Sequence, residues 1–204
     1  MGIKAVFFDY GQVISLPQDP KVIDKLAGMI GVAREIFEPL LWTLRSEYDR
    51  GTVTAREYYK DLLMRLGVSM DEERMDELIE IDLLSWKNIN NETVKLMEDV
   101  KKAGYILGIL SNMPHDFLAW ARINIPVFSL PQIGLFSCEL NLVKPEEEIF
   151  RKLITTAGAE PEELVFFDDN PENVRSAVSL GIKAFIWKNA DNARRELLSL
   201  GMEL

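Results

Sequence analysis

The chain has 204 residues, 48% of them hydrophobic, with 33 acidic against 23 basic side chains, one His and a formal net charge of -10. That composition supports one core, with or without an inserted module, and argues against a surface for nucleic acid or anionic lipid. Cys138 is the only cysteine, which excludes an intrachain disulfide and a cysteine-based zinc site and fits a reducing, cytoplasmic compartment.

Residues 3–8 form an apolar run that reads as a buried parallel strand, ended by Asp9 and a turn at Gly11. The run is short and has no small-residue cleavage site, and no other stretch approaches the ~18 uninterrupted apolar residues that span a bilayer. Neither a signal peptide nor a membrane partner is expected. Pro17 and Pro20 then break regular structure. From residue 21 to about 86 the apolar positions return at helical spacing, as at Ile23, Leu26, Ala27 and Ile30. Thr54 with Glu57, and Ser69 with Glu72, match the Ser/Thr-x-x-Glu capping box, and Gly51 and Gly67 close the segments before them. About four helices are expected.

Beyond Asn88 the period switches. A helix over residues 93–102 leads to a strand over 105–110 that runs into Ser111 and Asn112. A helix over 114–123 and a weaker strand over 133–137 follow. Pro145 suits a first helical position, and Glu146, Glu147 and Glu148 complement the dipole of a helix reaching about residue 157. The strand LVFF at 164–167 ends in Asp168 and Asp169, and a helix over 171–180, a strand over 183–187 and a helix near 192–200 complete the chain. Strands alternating with helices of this length predict an α/β fold, a Rossmann-like parallel core at residues 1–16 and 88–204, flanked by helices, with an all-helical cap inserted at 17–87.

Four strand ends therefore carry a chemical group: Asp9, Ser111 with Asn112, Lys144, and Asp168 with Asp169. A parallel sheet turns them all to one edge, where open α/β sheets place ligands. Each alone has a plain structural role: Asp9 as a turn residue, Ser111 and Asn112 as helix caps, Lys144 as a solvated lysine, the aspartate pair as a cap for the helix at Pro171. Together they make a site.

In order along the chain, FFDYGQVI, ILSN, KPEEEIF and FFDDNPENV resemble the four motifs of the haloacid dehalogenase-like superfamily, and the likeness covers nearly the whole sequence. Within it the pattern is most similar to small phosphatases with a helical cap, including the α-D-glucose-1-phosphatase-like branch. The resemblance implies a Mg²⁺-dependent phosphatase acting on a small phosphorylated metabolite such as a sugar phosphate. Asp9 would be the nucleophile, Asp9, the Gly11 carbonyl and Asp169 the metal ligands, with Asp168 and Asn173 in support. Lys144, Ser111 and the Asn112 backbone N–H would hold the phosphoryl oxygens. Such a carboxylate nucleophile splits one slow displacement into two, and needs positive charge on the dianion it attacks.

One departure stands out. Many phosphatases of this superfamily carry a second aspartate, the general acid and base, where this chain has Gly11. The departure leaves three readings: a substrate whose leaving group needs little protonation, a replacement acid from His115, Asp19, Gln12, Glu47 or Tyr48, or a protein of little activity that binds a phosphorylated ligand. The aromatic set of Trp42, Tyr48, Tyr58 and Tyr59 reads as cap core, with one ring available to an organic substrate group. A metal-independent 2-haloacid dehalogenase is a further alternative, opposed by the adjacent Asp168 and Asp169 and by the absence of any arginine before Arg34. Cap motion about residues 15–20 and 87–90 would admit substrate. The sequence leaves the oligomeric state open.

Overall fold

The computed structural model describes residues 2–204. Five strands, β1 (Ala5–Phe8), β2 (Ile106–Ser111), β3 (Ile133–Phe136), β4 (Leu164–Asp168) and β5 (Lys183–Ile186), make one parallel sheet in the order β3-β2-β1-β4-β5. The chain steps from β1 to one side, then returns to fill the other. The reversal falls between β1 and β4, so their carboxyl ends, at Asp9 and Asp168, flank the crevice that this topology opens.

Between β1 and β2 lie α1 (Pro20–Ile30), α2 (Arg34–Arg50), α3 (Ala55–Leu66) and α4 (Glu72–Ser85). Their apolar stripes turn inward on a cluster of their own that contains Leu26, Phe37, Leu41, Tyr59, Leu62 and Leu78. The capping box at Thr54 and Glu57 is formed. The one expected at Ser69 and Glu72 is not, because Asp71 stands directly before the first helical residue and accepts from the Arg74 N–H at 2.8 Å. The chain enters and leaves this insert side by side: Ser15 and Ile89 form an antiparallel bridge, with Leu16 N donating to Asn88 O and Asn90 N to Ile14 O.

Helices cover both faces of the sheet, as strands apolar on both sides require. Val6 and Phe8 of β1 meet Leu96, Met97 and Val100 of α5 (Asn91–Lys102), Phe117 of α6 (His115–Asn124) and, further along the chain, Leu197. A short α7 (Ser137–Leu140) takes up Ser137, where the sequence suggests the end of a strand. The opposite side chains of β1, Ala5 and Phe7, meet Ile149, Phe150 and Leu153 of α8 (Glu147–Ala157) and Ala177 of α9 (Pro171–Ser179). Leu197 belongs to α10 (Ala190–Ser199). Gly108 stands beside Phe7 in the register, and a Cβ there would come within 2.2 Å of the Phe7 ring. Pro145 does not open α8. Glu146 is its N-cap residue, and the Glu146 carboxylate folds back to accept from Val143 N at 3.2 Å, closing the turn that carries Lys144. Among the described residues no helix is long and apolar enough to cross a membrane.

The end of α2 is clasped to the core. Tyr48 donates its hydroxyl to Asp116 at 2.5 Å, Ser137 donates to the Asp49 carbonyl at 2.5 Å, and Arg50 forms two bonds to Glu146 at 3.0 and 2.6 Å. Gly51 ends the helix at φ 80°, and a Cβ there would lie 2.7 Å from His115 Nε2 and 2.8 Å from the Cys138 carbonyl. Gly51→Ala should therefore combine a left-handed penalty with overpacking, and chemical denaturation should show a loss of about 2 kcal/mol or more.

Candidate active site

Each element end delivers one group. β1 stops at Asp9 because the chain turns there, the Asp9 N–H still donating to the Phe167 carbonyl at 2.9 Å. The next residues make a tight π-type turn, Tyr10–Ile14, in which Gln12 takes a left-handed φ of 58°. The turn aims the Gln12 amide at Asp169, to which Nε2 donates at 2.7 Å, and its backbone N–H donates to Ser15 Oγ at 3.0 Å. Gln12 is thus a holder of Asp169.

Lys144 lies at the centre, its side chain 1% exposed, with Nζ 2.8 Å from Asp9 Oδ1 and 2.6 Å from Asp168 Oδ2. Burial works against its charge, but Asp168 and Asp9 outweigh that and hold its pKa above the ordinary lysine value. Asp168 is fully buried and its oxygens are committed: besides Lys144 it accepts from Asn170 N at 2.8 Å and from Asn173 Nδ2 at 3.0 and 3.1 Å. It is the anchor of the lysine. Asn112 plays a part that its sequence position does not reveal, because its side chain clamps the Lys144 peptide from both ends: Oδ1 accepts from Lys144 N at 2.8 Å and Nδ2 donates to Lys144 O at 2.9 Å. The Ser111 hydroxyl makes only a long 3.5 Å contact to the Asn112 carbonyl, and its approach to Asp9 is one of the influences that lower that carboxyl's pKa.

The balance at this edge is negative. Asp9, Asp168 and Asp169 each offer an oxygen within 4.8 Å of the others, against one lysine. Burial pushes the Asp9 carboxyl up to about 7, with Lys144 opposing and Asp168 adding to the rise, and burial with Asp168 raises Asp169 as well. Asp9 Oδ1 is taken up by the Lys144 ammonium, whereas among the described residues the buried Asn173 Oδ1 has no hydrogen-bond partner. An unpartnered buried oxygen and an excess of carboxylate fit a hard divalent cation, which takes oxygen ligands.

Over Asp9 lies a small cavity of about 120 Å³ whose lining includes Gly11, Arg45, Asp49, Trp86 and Asn112. Arg45, Asp49 and Trp86 belong to or directly follow helices of the insert, and sequence reasoning does not single them out, because which face of a helical insert meets the sheet edge is a tertiary fact. Trp42 also lines it. Other candidates lie elsewhere: His115 and Tyr48 line a separate cleft, Asp19 caps α1 through Lys21 N, and Glu47 accepts from Arg50 and Thr52. Tyr58 and Tyr59 are buried among the helices of the insert.

A family model described as haloacid dehalogenase-like hydrolase matches residues 3–181. Flavin mononucleotide hydrolase 1 of Arabidopsis thaliana is 32% identical over 173 residues, covering 83% of this chain and 66% of its own length. Bifunctional epoxide hydrolase 2 of Sus scrofa is 25% identical over 213 residues, covering 97% of this chain, which in turn spans only 38% of that protein. In structure, a haloacid dehalogenase family enzyme of Bacteroides thetaiotaomicron, solved with magnesium and inorganic phosphate, superposes with a TM-score of 0.70 at 22% identity, over 92% of this chain and 96% of that one. Structures described as dehalogenases share the fold too. With the family match running from the approach to β1 past the end of α9, and so through every strand end that carries a site residue, the chain belongs to the haloacid dehalogenase-like hydrolases.

Proposed function

We propose that this hydrolase is a Mg²⁺-dependent phosphatase that cleaves a small phosphorylated metabolite through an aspartyl phosphate on Asp9. The observation that carries this reading is the buried Lys144 held between Asp9 and Asp168 at an edge that still has carboxylate in excess. Mg²⁺, held by Asp9, the Gly11 carbonyl and Asp169 with Asp168 and Asn173 in support, would supply the positive charge that lets two anions approach.

The rest belongs to the chain. An Asp9 carboxylate oxygen attacks phosphorus, the bond to the leaving oxygen breaks, and water then cleaves the acyl phosphate to release inorganic phosphate and restore the carboxylate. Lys144, locked by Asn112 and Asp168, stabilises charge on the phosphoryl oxygens without reorganising, and the Ser111 hydroxyl and Asn112 N–H donate to the same oxygens. The helical insert acts as a cap that keeps water out, and its small cavity favours a compact substrate. A name among the relatives that denotes hydrolysis of flavin mononucleotide supports phosphomonoester chemistry, as does the relative that binds magnesium and phosphate. Against a haloacid substrate, the one arginine lining the cavity is already paired with Asp49 at 3.0 Å and Asp82 at 2.8 Å, so it is not free for a substrate carboxylate.

Asp9→Asn should lower turnover of any phosphate ester by roughly ten-thousandfold or more while circular dichroism stays native. Borohydride reduction of the wild-type protein during turnover should convert Asp9 to homoserine; its absence under turnover would contradict the covalent intermediate. Asn112→Ala frees the Lys144 peptide, and should cost about 1–3 kcal/mol of stability together with a fall in kcat. The raised pKa of Asp9 couples stability to pH and to metal. In the metal-free fold, stability contributed at this group falls as pH rises from the unfolded carboxylate range through about 7, since the unfolded state gives up its proton first. Mg²⁺ binds the carboxylate form, so its rise in melting temperature should be larger at about pH 8 than at about pH 6.

A further inference from the structure

Nothing about position 11 forbids a side chain. Gly11 has φ -61° and ψ 127°, open to any residue, and a Cβ placed there would meet nothing nearer than Trp86 at 3.7 Å. An acid at the leaving-group side is worth roughly a hundredfold to ten-thousandfold, so a chain that omits it where it fits needs another source for poor leaving groups. The titratable side chains lining the cavity over Asp9 are few: Tyr10, Arg45 and Asp49. Tyr10 donates its hydroxyl to the Trp86 carbonyl at 2.7 Å and burial raises its pKa, and Arg45 is paired twice. That leaves Asp49.

We propose that Asp49, brought to the sheet edge by the helical insert, is the general acid and base that position 11 does not provide. The assignment rests on the phosphatase reading and adds to it the residue that handles the leaving group. Asp49 Oδ1 accepts from Arg45 Nε at 3.0 Å, while among the described residues Oδ2 has no hydrogen-bond partner and the side chain keeps 16% of its surface exposed. The residue lines the cavity over Asp9, and its backbone is held to the core. Its carbonyl accepts from Ser137 Oγ, which itself accepts from Met113 N at 2.9 Å, and the next residue, Arg50, is tied to Glu146 and accepts at its carbonyl from Asn141 Nδ2 at 3.1 Å. Those partners lie in the segments that follow β2 and β3, the same segments that carry Asn112 and Lys144. The contacts that hold the end of α2 to the core therefore also place Asp49.

The groups acting on Asp49 suit the role. Burial raises its pKa above the ordinary carboxylate range, Arg45 on its own helix opposes this, and Asp82 of α4 and Asp116 of α6 add to the rise. In the first half-reaction Asp9 bonds to phosphorus, the bond from phosphorus to the leaving oxygen breaks, its electron pair stays on that oxygen, and the oxygen takes the proton of the Asp49 carboxylic acid. In the second, the Asp49 carboxylate takes a proton from water as its oxygen bonds to phosphorus and the Asp9–phosphorus linkage breaks. Asp49 ends protonated and Asp9 ionised, as they began.

The test is leaving-group dependence in the presence of Mg²⁺. Asp49→Asn keeps an acceptor for Arg45 and should lose roughly a hundredfold to ten-thousandfold in kcat/KM on alkyl or sugar phosphates, yet less than about tenfold on p-nitrophenyl phosphate, whose leaving group needs no proton. Because the base is gone as well, p-nitrophenolate should appear as a burst that reports both an intact site and an accumulating aspartyl phosphate. Adding Gly11→Asp to Asp49→Asn should restore part of the alkyl phosphate activity. Equal losses on both ester classes, or no loss on alkyl phosphates, would overturn the assignment. A measurement on the unaltered protein stands apart from folding of the variant: across aryl phosphates, a shallow dependence of kcat/KM on leaving-group pKa supports a working acid, and a steep one removes it. If the unaltered protein turns over no phosphate ester at all, the phosphatase reading fails first, and that result is distinct from a failure confined to Asp49.

Discussion

The Lys144 ammonium lies 2.8 Å from Asp9 and 2.6 Å from Asp168, out of reach of water, and the carboxyl edge of the sheet is arranged around that contact. A buried charge with one partner removed is costly, by several kcal/mol, so an ammonium between two carboxyl groups in a buried site must be held in register by its surroundings. The surroundings do this through the main chain. Asn112 clamps the Lys144 peptide, Asn170 N and the Asn173 amide fix Asp168, and Gln12 holds Asp169 from a left-handed turn. Four segments that are far apart in sequence thus depend on one another for their conformation, and the edge is as preorganised as a site for charged transition states needs to be.

The same charge logic separates the two carboxylates of the fourth strand end. Asp168 faces inward, where its oxygens are spent on Lys144 and Asn173, while Asp169 is half-buried and accepts from the Gln12 amide. Their adjacency in sequence hides a division of labour. Asp168 is the last residue of β4 and Asp169 the first beyond it, so the two neighbours need not share surroundings.

Much of this was legible before any coordinates. The runs AVFF and LVFF could be little else than strands buried on both faces, and parallel topology then brings their terminal aspartates to one edge. What stayed hidden has a common cause. Asp71 in place of Ser69 as a helix cap turns on a shift of two residues, and the clamp from Asn112 to Lys144 spans 32 positions. Asp49 and Arg45 read as ordinary charged residues of an amphipathic helix, since helical periodicity tells which face is apolar but not what stands opposite the polar one. His115, the residue that the sequence makes conspicuous, packs instead against the turn at Gly51.

The bridge between Ser15 and Ile89 bears on how such a chain can change over generations. Because the two crossings lie against each other, the backbone leaves and re-enters the core at one spot, whatever the length of chain enclosed. Lengthening a tethered loop adds only slowly to its closure entropy, about 0.6 kcal/mol per doubling. The sheet can therefore keep its fold while those enclosed helices are lengthened or shortened that lie away from the end of α2, which is tied to the core through Tyr48, Asp49 and Arg50.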